Sequence, residues 1–164
     1  MITGKFSVLI VDAHAMFIYG VKVILERNIK TITGIFTANS GEEALKHLES
    51  NKIDLVITDI NIPGMTGFEL TKVITKKYLG TKILVLTIDD SKSSVEAILD
   101  AEADGYLLKN VGEKEFVYAI SQIMNNGTFY SGNIIQVMME LDKTGKCNPN
   151  HVMSGVGNLN SLKP

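Results

Sequence analysis

Short apolar runs alternate along this chain with longer stretches in which apolar residues recur every three to four positions. Val8-Leu9-Ile10-Val11 is a continuous apolar run, as a strand covered on both faces requires. Leu55-Val56-Ile57, Ile83-Leu84-Val85-Leu86 and Tyr106-Leu107-Leu108 repeat the pattern, and Ile35-Phe36-Thr37-Ala38 is a weaker version of it. Between them, Leu70, Val73, Ile74 and Tyr78 carry helical spacing, as do Val95, Ile98 and Leu99, and Phe116, Ile120, Ile123 and Met124. Residues 15–28 and 41–51 complete the helical set, the latter striped by Ala44, Leu45 and Leu48. Ser40-Gly41-Glu42-Glu43 has the form of a capping box, so that helix should start near Gly41. Pro63-Gly64 marks a turn before the third helix.

The pattern predicts an α/β fold in which a strand-helix unit repeats five times, (βα)5, within residues 1–130. Right-handed crossovers then give a parallel five-stranded sheet with helices on both faces, doubly wound and flavodoxin-like. Residues 134–142 predict one more short amphipathic helix. From Lys143 to Pro164 the chain is rich in Gly, Asn and Ser and reads as a flexible tail or linker.

Ligands of open parallel sheets bind beyond the carboxyl ends of the strands. The first apolar run ends at Asp12, the third at Thr58-Asp59, the fourth at Thr87 and the fifth at Lys109. Two carboxylates, a hydroxyl and an ammonium are therefore expected on one edge. Carboxylates with backbone oxygen suit Mg²⁺, and a metal lets a carboxylate approach a phosphoryl group. An ammonium and a hydroxyl can hold phosphoryl oxygens, and a carboxylate can accept a phosphoryl group. Polar residues also end strands simply because water begins there, so spacing alone leaves both readings open.

Composition narrows the class. The chain has 164 residues, 45% hydrophobic and 21% charged, which is the size and balance of one globular domain with a short appendage. A net charge of −2 provides no global basic field for a nucleic-acid backbone. The single cysteine, Cys147, excludes an internal disulfide and a cysteine metal cluster. His14, His47 and His151 share no ligand-like spacing and read as solvent-facing or structural. No apolar run reaches the ~18 residues of a membrane span. Residues 1–5 lead directly into a strand-like run without the regions of a signal peptide, so a cytoplasmic location is expected.

Residues 58–70, Thr58-Asp59-Ile60-Asn61-Ile62-Pro63-Gly64-Met65-Thr66-Gly67-Phe68-Glu69-Leu70, resemble the phosphoacceptor segment of bacterial two-component response-regulator receiver domains. Leu86-Thr87 resembles their switch hydroxyl position, Ala103 to Lys109 their last strand with its lysine, and Val8 to His14 their first strand and acidic pocket. The resemblance covers about residues 5–130. It implies that Asp59 takes a phosphoryl group from a sensor histidine kinase. Asp12, Asp59 and the backbone carbonyl of Asn61 would hold Mg²⁺. Lys109 would pair with the phosphoryl group, Thr87 would hydrogen-bond to it, and Tyr106 would turn inward as Thr87 moves. Tyr106 is equally readable as a packed aromatic of an edge strand. Activity would be that of a self-phosphorylating signalling domain with possible autodephosphorylation, not of an enzyme acting on other substrates.

One departure is visible. The family usually places two acids after the first strand, and here Asp12 is followed by Ala13. The missing acid is the one that usually contacts the metal, so weaker Mg²⁺ binding and slower phosphorylation are expected on an unchanged fold. Asp89 and Asp90 are the candidates to compensate in part, although an N-cap or first-turn charge of a helix is the favoured reading for both. Ile88 is bulkier than the residue often found there and is expected to restrict access.

Gly127 to Ser131 and the helical run after it resemble the receiver-to-linker junction of LuxR/FixJ-type transcriptional regulators. Residues 131–164 are then a short linker helix and tail leading to a DNA-binding output domain absent from this chain; truncation is favoured over a stand-alone receiver. A homodimer is expected, with the face of residues 91–126 as output and no membrane partner. Two alternatives stand. One is a phosphorylation-independent interaction module, supported by Ala13. The other is a dehalogenase-like phosphatase with Asp12 as nucleophile, disfavoured because His14 stands where that family places a second acid.

Overall fold

The computed structural model describes residues 2–145. In chain order the elements are β1 (Phe6–Val11), α1 (Ala15–Asn28), β2 (Ile32–Ala38), α2 (Gly41–Ser50), β3 (Leu55–Thr58), α3 (Gly67–Lys77), β4 (Lys82–Thr87), α4 (Lys92–Asp100), β5 (Gly105–Leu108), α5 (Glu113–Met124), β6 (Phe129–Tyr130) and α6 (Gly132–Lys143). Cys147, His151 and nearly all of the tail expected beyond Lys143 lie outside the described residues.

The strands form one sheet in the order β2-β1-β3-β4-β5-β6, every pair parallel. The order reverses between β1 and β3, the crevice where a doubly wound sheet receives its ligand. The runs are continuously apolar because both faces are covered, yet side chains still alternate between faces. Val8, Ile10, Leu55, Ile57, Leu84, Leu86 and Leu107 pack with Ile18, Val21 and Leu25 of α1 and Phe116, Ile120 and Ile123 of α5. Leu9, Val11, Val56, Ile83, Val85 and Tyr106 pack with α2, α3 and α4 on the other side. There they are joined by Ile134, Ile135, Met138 and Leu141 of α6.

Two features differ from the expectation. The sheet has a sixth strand: Phe129 and Tyr130 pair with Gly105 and Tyr106, and both are buried. Two residues are too few to show alternation, so no periodicity could reveal them. With β6 alongside it, β5 is internal, and Tyr106 is not on an edge. The second difference is a cap. Ser40 accepts from Glu43 N–H at the start of α2, but the Glu43 carboxylate takes the N–H of Asn39 rather than that of Ser40. The reciprocal capping box occurs instead at α3, between Thr66 and Glu69.

Candidate functional site

Three of the residues that follow the strands are fixed by one further rung of the ladder. Asp12 N–H donates to Ala38 O (3.1 Å), Asp59 N–H to Val11 O (3.0 Å) and Lys109 N–H to Thr87 O (2.8 Å). Backbone and side-chain origin are thus set by the hydrogen-bonded sheet rather than by free loops. Lys109 Nζ lies 2.7 Å from Asp12 Oδ2 and 2.9 Å from Asp59 Oδ2, so one ammonium bridges two carboxylates. Both acids are buried, Asp12 1% and Asp59 5% exposed. Burial pulls the Lys109 ammonium down, but hydrogen bonds and charge from Asp12 and Asp59 outweigh it and hold its pKa above the ordinary lysine value. Its Nζ also stands 4.3 Å from the Phe17 ring centroid, a cation–π contact.

The loop after Asp59 is shaped around it. Asp59 Oδ1 accepts the N–H of Ile60 (2.7 Å), and Thr58 Oγ1 donates to the Asp59 carbonyl (2.9 Å). Gly64 turns the chain with φ +86°, a conformation open to glycine. Gly67 then brings α3 against the segment that follows Asp59, its N–H donating to Ile60 O at 2.7 Å. A Cβ at Gly67 would stand 2.3 Å from Asp59 O and 2.8 Å from Ile60 Cα, so only glycine permits the approach. Asn61 is exposed in this loop, two residues beyond Asp59.

Thr87 and Tyr106 belong to a hydrogen-bond chain running away from the acids. Thr87 is fully buried, and its Oγ1 accepts the N–H of Asp89 at 3.3 Å. The Asp89 carbonyl accepts the hydroxyl of Tyr106, itself fully buried. Burial pushes the Tyr106 phenol above its ordinary pKa, and the charges of Asp89, Asp90 and Asp59 push the same way, so it remains a donor. The Asp89 carboxylate takes the Ser94 hydroxyl and the Ser91 N–H (2.9 Å), which, in that order, hold its pKa below the ordinary aspartate value. Asp89 is therefore engaged with the start of α4. Ile88 beside it is 78% exposed.

His14 is the residue that sequence reasoning missed. Its ring is solvent-facing, as expected, yet Nδ1 lies 3.0 Å from Asp12 Oδ1, and its N–H donates to the same oxygen at 2.8 Å. Atoms of Asp12, His14 and Asp59 that can bind a cation all lie within 4.8 Å of one another. Ala13 is exposed and offers no ligand.

The chain has counterparts among known proteins. Residues 8–121 match the model of the response regulator receiver domain. The chain belongs to that family. It is 33% identical over 132 residues to the response regulator UvrY of Escherichia coli K12, covering 80% of this chain and 60% of UvrY. It therefore spans less than two thirds of that relative's length. A LuxR-family two-component response regulator from Aurantimonas sp. SI85-9A1 superposes with a TM-score of 0.78 at 25% identity, covering 85% of this chain and 99% of that one. The isolated receiver domain of RcsB from Salmonella enterica serovar Typhimurium, with the phosphomimetic BeF3⁻, gives 0.74 at 23% identity, over 82% and 99%. Response regulators are signalling proteins, which removes the dehalogenase-like alternative with Asp12 as nucleophile. Among the described residues no helix is long and apolar enough to cross a membrane.

Receiver domains bind Mg²⁺ through acidic residues. The residues present fit a divalent cation: two buried carboxylates share the one Lys109 ammonium, which stands 2.7 Å from Asp12 Oδ2 and 2.9 Å from Asp59 Oδ2. Ala13, next to Asp12, carries no side-chain oxygen or nitrogen.

Proposed function

We propose that Asp59 is the phosphoacceptor of a two-component phosphorelay, fed by the phosphohistidine of a sensor histidine kinase. A carboxylate oxygen of Asp59 attacks phosphorus, the P–N bond breaks, and the leaving imidazole takes a proton. The observation that carries this reading is Lys109 bridging Asp12 and Asp59 at 2.7 and 2.9 Å. An ammonium held there is ready to transfer from the Asp59 carboxylate to the new phosphoryl oxygens. Mg²⁺, held by Asp12, Asp59 and the carbonyl of Asn61, would supply charge neutralisation between acceptor and donor, and Ala13 weakens its binding. Water attack on the same phosphorus gives autodephosphorylation.

The readout runs through Thr87. A phosphoryl oxygen on Asp59 accepts the Thr87 O–H and draws the side chain toward it, away from the Asp89 N–H that Oγ1 accepts in the unphosphorylated state. Movement of Thr87 frees Asp89, and with it the Tyr106 hydroxyl and the start of α4. Because α6 packs on α4 and is tied to it by Lys92–Glu140 (2.8 Å), the shift reaches residues 131–145, the linker toward an output domain outside this chain. In the whole protein this would control homodimerisation and, through that domain, DNA binding and transcription in the cytoplasm.

Incubation with Mg²⁺ and acetyl phosphate, followed by intact mass measurement, tests the reading. A gain of one phosphoryl group, abolished by Asp59→Asn, is expected. No gain in the parent protein would overturn it in favour of a phosphorylation-independent module.

A further inference from the structure

The side chain of His14 has no assigned part in the phosphoryl chemistry, yet it sits on the cation pocket. The geometry points to a nitrogen-donor position in that pocket: His14, next to Ala13, whose methyl group offers no ligand atom, makes this site favour a late first-row divalent cation, such as Co²⁺ or Zn²⁺, over Mg²⁺. This rests on the reading above only in taking the pocket to hold a divalent cation.

Three observations carry it. The 3.0 Å between His14 Nδ1 and Asp12 Oδ1 matches the edge of a coordination octahedron with bonds of about 2.1 Å, so one ion can bind both atoms in place of the hydrogen bond between them. Asp12 Oδ2 is buried and meets Lys109 Nζ at 2.7 Å, a charge contact that a bound cation would replace, and Asp59 completes a group whose ligand atoms span no more than 4.8 Å. The neighbouring residue, Ala13, supplies a methyl group where a hard oxygen would have favoured Mg²⁺. Removing a carboxylate while keeping an imidazole moves a site from the hard-oxygen class toward the borderline class that late transition metals prefer. His14 is also free to serve. It occupies the N-cap position of α1 without a side-chain capping bond, and its side chain is 73% exposed, so it can turn without breaking the core.

The test is equilibrium binding of Co²⁺ and of Mg²⁺ to the full chain without phosphodonor. Titration calorimetry is paired with the proton NMR of cobalt-shifted imidazole resonances. His14→Ala is expected to weaken Co²⁺ binding by about tenfold or more and to abolish the shifted imidazole signal, while Mg²⁺ affinity changes less than about twofold. Asp12→Asn should weaken both. Circular dichroism checks that each variant is folded, and the exposure of His14 makes its variant the safe one. Unchanged Co²⁺ affinity in His14→Ala, an equal loss for both ions, or no Co²⁺ binding by the parent would each overturn the inference. None of these outcomes depends on phosphorylation. Failure of Asp59 to gain a phosphoryl group would sink the proposed function while leaving the metal preference standing, and the reverse holds equally.

Discussion

The two faces of the sheet are built differently. Against α1 and α5 the sheet presents a hydrocarbon core of Val8, Ile10, Leu55, Ile57, Leu84, Leu86 and Leu107, with Phe116 and Ile120 pressed into it. Against α2, α3, α4 and α6 the core is also large, but polar connections thread it. Tyr106 reaches the Asp89 carbonyl, Thr71 Oγ1 donates to Gly67 O, and Ser131 Oγ accepts from Leu108 N–H. The buried part of the first face is held by dispersion and apolar burial, and its polar contacts, such as Arg27 and Asn28 of α1 to Glu113 of α5, lie at the exposed rim. On the second, directional bonds link the acid pocket to α4 and, through packing, to α6. A switch belongs on the second face, because directional bonds can be exchanged one for another while a close-packed core cannot deform smoothly.

Substitutions can break that contrast, and the largest effect belongs to the apolar face. Phe116→Ala removes a ring that is 3% exposed and should cost about 3–5 kcal/mol of stability, read by urea unfolding. Its product, where folded, should still accept a phosphoryl group.

Next is Gly67→Ala. The added methyl meets the Asp59 and Ile60 backbone, so α3 must retreat from the phosphoacceptor loop. A loss of about 1–3 kcal/mol is expected, together with slower phosphorylation from acetyl phosphate. Unchanged kinetics would show that α3 does not position Asp59.

Tyr106→Phe tests the polar face. It removes one hydroxyl from a buried ring and should cost about 1 kcal/mol. Hydrogen exchange at the start of α4 should rise in the unphosphorylated protein, with α5 unaffected.

The smallest effect is a titration. Because the Asp89 pKa is lowered in the fold, its contribution to stability is present above the ordinary aspartate value and is lost as pH falls through the folded value. Ser94→Ala removes the leading cause. The Asp89 carboxyl should then titrate closer to its ordinary value by carbon-13 NMR, and the acid-side loss of stability should shrink.

The legible part of the molecule is the part written in long patterns. Residues 15–28 are α1 as expected, and four apolar runs became β1, β3, β4 and β5, because a strand buried on two faces needs an uninterrupted apolar run. Asp12, Asp59 and Lys109 were recognisable as neighbours because each follows such a run on the same edge. What escaped was short or nonlocal. β6 has only two residues, and the docking of α6 on α4 depends on which face of a helix finds a partner. His14 stands two residues from Asp12, a spacing that carries no ligand signal until the turn at the start of α1 folds the ring back toward the carboxylate. The Thr66–Glu69 capping box was as visible as Ser40–Glu43, and only the direction of the chain before each helix decides which box closes.

The most direct test of the central claim is the chemical location of the phosphoryl group. Borohydride reduction of the protein after exposure to Mg²⁺ and acetyl phosphate, followed by peptide mapping, converts an aspartyl phosphate to homoserine at its own position. The arrangement of Asp12, Asp59 and Lys109 predicts homoserine at position 59 and unmodified aspartate at position 12. Homoserine at position 12, or at neither position, would contradict it.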